Sequence, residues 1–422
     1  MSTILAVAAV VVGIPGMAVA LHFGLLAVAS WFYREPRQAT SPLRFLVLIP
    51  AHDEELVIAK GLSAIQADKR SRDTVLVVAD RCSDSTAEIA RSFGALVLER
   101  GEDEEAGRAA ARQAGLERAR ELEWDAVLML DADSVIEPGF FDACEAAMAS
   151  GAPAIQARSE SGHGRTLAQE ASLAAFTLQG ITIPRGRASL GLSVRLRGTG
   201  MAIRREIALA HRFRAPASED LFFSLDLLLT GVRVRHVDAA RLRSEGASTW
   251  GSFGGQKLRY EAGRMAAART FVPRLLARAA RRRDGACLEA AWFLLTPPYA
   301  VAILLLLFAL ALAALAGSAP LAIAFAAGLG ALALTLVTGL IQARAGRRTW
   351  LALLAAPWYL AWKAAVQARA LASVLRRDDY YGPTARSAAD GPTVHALAGI
   401  PTAPPSEASR LPAETLASRN PE

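Results

Sequence analysis

Ala126-Val127-Leu128-Met129-Leu130-Asp131-Ala132-Asp133-Ser134 sets an apolar run directly before two carboxylates spaced i, i+2. Such a run reads as a strand buried on both faces, and its C-terminal end carries Asp131 and Asp133 out of the sheet. In open α/β sheets, ligands bind outside the carboxyl ends of the strands. Two carboxylates there can share a hard divalent cation that also takes phosphate oxygens as ligands. Taken alone, an Asp-Ala-Asp is as readily a strand running into a polar turn, so the surrounding chain has to decide.

Upstream, apolar strands alternate with helical spacing. Phe45–Pro50 and Thr74–Ala79 read as strands, the second ending at Asp80, and Ala95–Leu98 as a third. Helical patterns cover 54–66, 84–93 and 108–121. This alternation predicts an α/β fold with a doubly wound, mostly parallel sheet. Three strand ends then present His52-Asp53-Glu54, Asp80 and the Asp131/Asp133 pair to one crevice. Downstream the pattern is less regular: a helix over 142–150, a strand over 154–157, a Gly-rich turn at Gly198-Thr199-Gly200 leading into a strand, and a helix opened by Glu219-Asp220 and ended by Gly231. Acids at a helix start also complement its dipole, a plain alternative for that pair.

The chain is long enough for one catalytic domain plus additional elements, and half of its 422 residues are apolar. Residues 4–31 are almost free of charge and longer than the ~20 residues that cross a bilayer. They predict an N-terminal transmembrane helix within 1–33, bent near Gly13-Ile14-Pro15. A cleaved signal peptide is the competing reading, disfavoured by the missing basic n-region and the length of the apolar run. Residues 290–341 predict a transmembrane hairpin. Arg34, Arg37 and Arg44 after the first span, Arg281–Arg283 before the hairpin and Arg344, Arg347 and Arg348 after it place the domain between, 43–250, in the cytoplasm at the inner face of the cell membrane. Residues 251–285 form a basic amphipathic segment expected at an anionic lipid surface. The same charge would suit nucleic acid, which the flanking spans argue against. Residues 349–377 read as an interfacial, re-entrant or fourth spanning helix, and 388–422 as a disordered tail. Cys82, Cys144 and Cys287 suggest neither a disulfide framework nor a zinc site. His163, His211 and His236 are too scattered to suggest a ligand set.

An ordered set of short motifs resembles the membrane-bound family 2 glycosyltransferases: Phe45 to Glu55, Val77 to Thr86, Leu130 to Asp133, Gly198 to Gly200, Ser218-Glu219-Asp220 and Gln256 to Tyr260. The likeness covers roughly 43–275 and implies a GT-A fold. It implies that the 50–54 strand end (Ala51, Asp53, Glu54) holds base and ribose, and that Asp80 accepts from the uracil N–H. Arg108, Gln256 and Arg259 would hold the diphosphate. Asp131 would lie near ribose and metal, and Asp133 would coordinate Mg2+ or Mn2+. Asp220 would be the general base, with Glu219, Tyr260 and Gly198-Thr199-Gly200 around the acceptor. The chain departs from the family's pattern at Asp53 (usually Asn), at Gly107-Arg108-Ala109 (usually Gly-Lys-Gly) and at Tyr260 (usually Trp).

The function so implied is inverting, metal-dependent transfer from a UDP-sugar to a membrane-associated lipid, lipid-linked glycan or growing exopolysaccharide. The few spans favour a lipid-directed acceptor; a polymer would call for partner subunits. The alternative is a non-catalytic membrane protein that keeps the fold as a nucleotide-sugar sensor or assembly scaffold.

Overall fold

The computed structural model describes residues 1–36, 41–161, 170, 174, 176–213, 218–244 and 250–376; for some helical residues, Gln256 and Arg259 among them, only the backbone is described. The N-terminal apolar run forms one helix, α1 (Ser2–Ser30), which continues through Pro15. Two glycines around the expected bend serve close packing. A side chain at Gly13 would collide with Phe325, and one at Gly16 with Leu306.

The apolar runs become β1 (Phe45–Ala51), β2 (Thr74–Asp80), β3 (Leu96–Arg100) and β4 (Ala126–Met129), separated by α2 (Ile58–Asp68), α3 (Thr86–Ser92) and α4 (Arg108–Arg118). β4 is buried throughout and β1 almost so, as a strand covered on both faces must be. All pairings among these four strands are parallel.

The remaining elements are β5 (Ser134–Ile136), α5 (Phe140–Ala149), β6 (Ala154–Ser161), α6 (Ile183–Ser189), β7 (Met201–Arg204), α7 (Arg205–Ala210), α8 (Glu219–Thr230) and β8 (Val234–Ser244). They extend the sheet to the order β3-β2-β1-β4-β7-β6-β8-β5. Four of the seven pairings among the described residues are parallel, as expected, but the second half of the sheet mixes directions. β7 runs antiparallel to both β4 and β6, β5 antiparallel to β8, and only β6 and β8 pair in parallel. The sheet is therefore mixed, because β7 enters from the 190–200 loop instead of a helical crossover, and antiparallel neighbours need none. β5 is too short for any periodicity to reveal.

Two cores flank the sheet. Phe45, Val47, Phe140 and Phe141 lie on one side, Leu46, Leu48, Trp124 and Val127 on the other. On the second side α4 sits unusually close, because Gly115 leaves no side chain between it and Leu48 and Val78. This brings the N-terminal turns of α4 over the strand ends.

The C-terminal part is helical: α9 (Trp250–Arg282), α10 (Gly285–Leu295), α11 (Tyr299–Leu315), α12 (Ala319–Gln342), α13 (Arg347–Leu351) and α14 (Ala356–Arg376). Among the described residues α1 and α12 are long and apolar enough to cross a membrane; α10 and α11, bent by 65° at Pro297-Pro298, would make a third if they act as one. α1, α11 and α12 share an apolar cluster containing Phe23, Leu306 and Phe325. The apolar stripe of α9 is spent on protein: Ala267, Phe271 and Leu275 pack against Leu221, Leu225 and Leu228 of α8 and against Ala291 of α10. α14 is fastened to α9 by Lys363, buried and 2.9 Å from Glu261. Gly186 of α6 lies directly against the Leu26 carbonyl near the end of α1. The tail expected over 388–422 lies outside the described residues.

Candidate active site

β1 and β2 end side by side, and hydrogen bonds knit the loops that follow them. The Asp80 carboxylate is buried; its Oδ1 accepts from Arg100 Nη1 at 2.6 Å and its Oδ2 from the Gly107 N–H at 3.2 Å. The His52 ring nitrogen Nδ1 lies 2.7 Å from the Asp80 carbonyl. Ala51 is buried, and its carbonyl accepts from the Cys82 thiol at 3.5 Å. Asp53 adopts a left-handed φ of 51° and accepts from the Ser83 N–H at 2.7 Å, while the Glu54 N–H donates to Thr86 Oγ1 at 2.8 Å. Asp53, Cys82 and Asp84 lie close enough to suggest a metal site. Their oxygens are engaged in the same lacing, however: Asp84 accepts from the N–H groups of Glu55 and Thr86, each at 3.0 Å.

The Asp131–Ser134 turn is backed by α2. A Cβ at Gly61 would lie 2.9 Å from the Ala132 carbonyl oxygen and 3.0 Å from that of Ser134, so only glycine lets the helix seat there. The Asp131 N–H donates to Thr199 Oγ1 at 3.1 Å, and Thr199 in turn meets Ser134 at 2.8 Å. The Asp131 carboxylate faces two guanidinium groups, Arg112 at 3.4 Å and Arg108 at 3.5 Å. Arg112 is wholly buried, pairs with Glu219 at 3.0 Å and donates to the Gly198 carbonyl. Arg108 is half exposed.

Gly198 is where these groups converge. Its φ is +84°, and a Cβ built there would lie 3.6 Å from Arg108 Nη1, 3.6 Å from Asp220 Oδ2 and 3.7 Å from Arg112 Nη2. That φ favours glycine, and a Cβ there would rest in van der Waals contact with all three groups.

Asp220 stands in the first turn of α8, set by Ser218 in a left-handed conformation with φ 79°, and its Oδ1 accepts from the Leu221 N–H at 2.8 Å. Burial, then the neighbouring Glu219 charge, pushes its carboxyl up to about 6, against the opposing pull of the Leu221 N–H, Arg112 and Arg108. Arg108 is held more firmly protonated, first by Asp131 and then by Glu219, Asp133 and Asp220. Burial acts the other way on Arg112, partly offset by Glu219 and Asp131.

The structure thus gathers Arg108, Asp131, Asp133, Gly198, Thr199, Glu219 and Asp220 in one region, with Asp80 at the start of α4 beside it. Arg112 escaped the sequence reading. Its only signal is the i, i+4 spacing from Arg108, which puts both on one face of α4. Gln256 and Arg259 lie on α9 with side chains outside the described residues; Tyr260 beside them is 39% exposed. Gly200, φ +67°, donates its N–H to Met129 and fixes the start of β7. His163 is outside the described residues. His211 bonds within its own neighbourhood, and the buried His236 bonds the Gln156 carbonyl and Asp238.

Asp131 and Asp133 meet the chemistry of a hard cation only in part. Two carboxylates leave most of a six-coordinate shell to other oxygens, as a diphosphate would provide, and among the described residues no third acid or histidine joins them within ligand spacing. A cation at Asp131 would share its carboxylate with the two guanidinium groups.

The fold is that of a GT-A nucleotide-sugar transferase. Residues 42–263 match the model of the family described as "Glycosyltransferase like family 2", and the chain belongs to that family. Among solved structures, the chain is similar to the mannosyltransferase PcManGT from Pyrobaculum calidifontis, solved with GDP-Man and Mn2+: 18% identity, TM-score 0.50, over 81% of this chain and 98% of that one. It also resembles TarS 1–349 from S. aureus (16%, TM-score 0.42, 72% and 92% covered). A third is glucosyl-3-phosphoglycerate synthase from Mycobacterium tuberculosis, solved with Mn2+, UDP and phosphoglyceric acid (18%, TM-score 0.39, 56% and 78% covered). At these identities the likeness concerns the fold. No curated protein matches the chain in sequence.

Proposed function

We propose that this protein transfers a sugar, with inversion, from a UDP-sugar to an acceptor presented at the cytoplasmic face of the membrane that α1, the bent α10–α11 pair and α12 cross. The observation that carries the reading is the meeting of Asp220, Arg108 and Arg112 around Gly198, opposite Asp131. A carboxylate poised near neutrality is suited to take a proton from an acceptor hydroxyl. The acceptor oxygen then bonds to the anomeric carbon, the bond from that carbon to the diphosphate breaks, and its electron pair leaves on the nucleotide. Arg108, half exposed and beside Asp131, can turn toward the departing phosphate oxygens, while buried Arg112 keeps Asp131 and Glu219 in place.

Asp80 and the 51–54 loop would seat the nucleoside, and Gln256 and Arg259 would reach the diphosphate from α9. Asp131 and Asp133 would hold Mg2+ or Mn2+, which when bound neutralises the leaving diphosphate. PcManGT, whose fold this chain shares, was solved with a nucleotide-diphosphate sugar and Mn2+, which agrees with that donor class. With few spans to enclose a channel, the acceptor is a lipid or lipid-linked glycan.

The test is nucleotide release from the purified full-length protein with UDP-sugars, Mn2+ and a lipid extract, wild type against Asp220→Asn, followed by sizing of the product. Turnover that needs the divalent ion, is lost in Asp220→Asn and yields a singly glycosylated lipid supports the reading. Equal rates in the two proteins, or no turnover with any UDP-sugar, refute it.

A further inference from the structure

Two arginines on the 190–200 loop form no ion pair with a carboxylate among the described residues. Arg195 lays its guanidinium on the Phe293 ring, 3.3 Å from the centroid, and its one side-chain hydrogen bond among the described residues goes to Gln179 Oε1 at 3.3 Å. Arg197 makes no side-chain hydrogen bond or ion pair among the described residues. Its Nη1 lies beside Gly180, where a Cβ would be only 3.1 Å away. In both arginines Nη1 is shut off from solvent without an acceptor. The acids whose charges reach them are Glu289 for Arg195 and Asp220 for Arg197, and neither forms an ion pair with them among the described residues. Glu289 pairs with Arg187 and, at 3.2 Å, His22; Glu261 pairs with Lys363 at 2.9 Å and Arg264 at 3.5 Å. Burial, then the charge of Arg187, brings Arg195 down to about 9 against the opposing pull of Tyr260 and Glu289, and burial lowers Arg197 as well. Stranded guanidinium N–H groups at such a cost call for an anion from outside the chain.

Their position says which anion. Arg197 immediately precedes Gly198, where Asp220 converges with Arg108 and Arg112, and the Asp220 charge is felt at Arg197. On the other side, Gln179 and Gly180 belong to a π turn (Leu178–Thr182) whose Leu178 is part of the apolar cluster of α1, α11 and α12. Thr182 at the end of that turn bonds Gln342 at 3.1 Å, and Gln342 bonds Ser30 at 2.7 Å, so the turn is tied to the ends of both long apolar helices. The arginines thus stand in the seam between the base and the helices read as membrane spans.

Building on the glycosyltransferase reading above, we propose that Arg195 and Arg197 seat a phosphate group carried by a lipid acceptor, with its apolar chains against the α1–α12 helices and its reacting oxygen toward Asp220. Guanidinium groups suit this role because their planar N–H pairs match phosphate oxygens.

The test uses full-length protein in neutral detergent and measures retention of labelled dioleoyl phosphatidic acid, of dioleoylglycerol with the same chains and no phosphate, and of inorganic phosphate as competitor. UDP binding is titrated on the same samples. The expectation is at least tenfold tighter binding of the lipid phosphate than of the diacylglycerol, a loss of about tenfold or more in Arg197→Gln and in Arg195→Gln, and partial recovery in Arg197→Lys. Inorganic phosphate should not displace the lipid at matched concentration. Equal retention of the two lipids overturns the proposal. So does a phosphate preference that survives both Gln variants but disappears when Arg281, Arg282 and Arg283 are changed to Gln. Efficient displacement by inorganic phosphate would assign the arginines to a soluble ligand, and a tenfold loss of UDP affinity in Arg197→Gln would assign them to the donor; either result overturns it. A wild-type protein that binds no UDP contradicts the transferase reading instead, whatever the lipids do.

Discussion

Arg112 and Glu219 stand 107 positions apart in sequence and 3.0 Å apart in space, with the guanidinium wholly buried. The pair joins α4 to the first turn of α8, and through Asp131 it joins both to the end of β4. Removing the cation would leave two acids facing each other across an uncompensated space. Arg112→Ala should therefore cost about 3–5 kcal/mol of stability. Arg108→Ala, at a half-exposed position, should cost less than about 1 kcal/mol while still lowering turnover. Denaturant unfolding of the two variants checks this; equal destabilisation would contradict the division of labour between them.

Asp220 ties activity to pH. A general base must be ionised, so with its carboxyl raised to about 6 the rate should fall roughly tenfold per pH unit below that value and level off above it. Stability should move in the opposite sense. A carboxyl raised in the folded state favours folding while protonated, and that contribution is lost as pH rises through about 6. Asp220→Asn should hence cut turnover by about 10²–10⁴. At neutral pH the same variant should gain on the order of 1–3 kcal/mol in unfolding free energy. A pH–rate profile with no inflection between pH 5 and 7 would argue against Asp220 as the base.

Gly198 and Gly200 should fail differently. Both have positive φ, but a methyl group at Gly200 meets Leu242 and Ala157 in the core, whereas at Gly198 it meets only Arg108, Arg112 and Asp220. Gly200→Ala is expected to destabilise by about 2–4 kcal/mol through strain and overpacking. Gly198→Ala should keep more of the stability and lose more of the turnover. Melting curves and initial rates on both variants measure the contrast.

The buried Lys363–Glu261 pair tests what holds α14. Lys363→Met should lower stability by about 3 kcal/mol, and adding Glu261→Leu should restore part of it, since Arg264 then loses its 3.5 Å partner but keeps its bonds to the Phe293 and Thr296 carbonyls. Additive losses in the double variant would mean the two residues act separately.

The first half of the domain was legible because its strands are apolar runs of ordinary length, each followed by a helix of clear period. The acids at the strand ends could be placed on that frame by counting. The mixed half was not, since the direction of β7 depends on how an irregular loop returns to the sheet, and β5 has only three residues. Arg112 was hidden for another reason. A buried arginine looks like a surface one until its partners, here contributed by segments far along the chain, are in position. The stripe on α9 showed correctly that one face of the helix is apolar, but a stripe does not say whether lipid or α8 will cover it.

The close seat of Gly186 against the Leu26 carbonyl makes the first helix part of the enzyme's foundation. A shortened form beginning after that helix, the usual route to a soluble fragment, would strip the wall from behind α6. The loop bearing Arg195 and Arg197 follows directly from there. By the contact at Gly186 such a fragment is an injured enzyme and not merely a trimmed one, best replaced by the intact chain in a lipid disc.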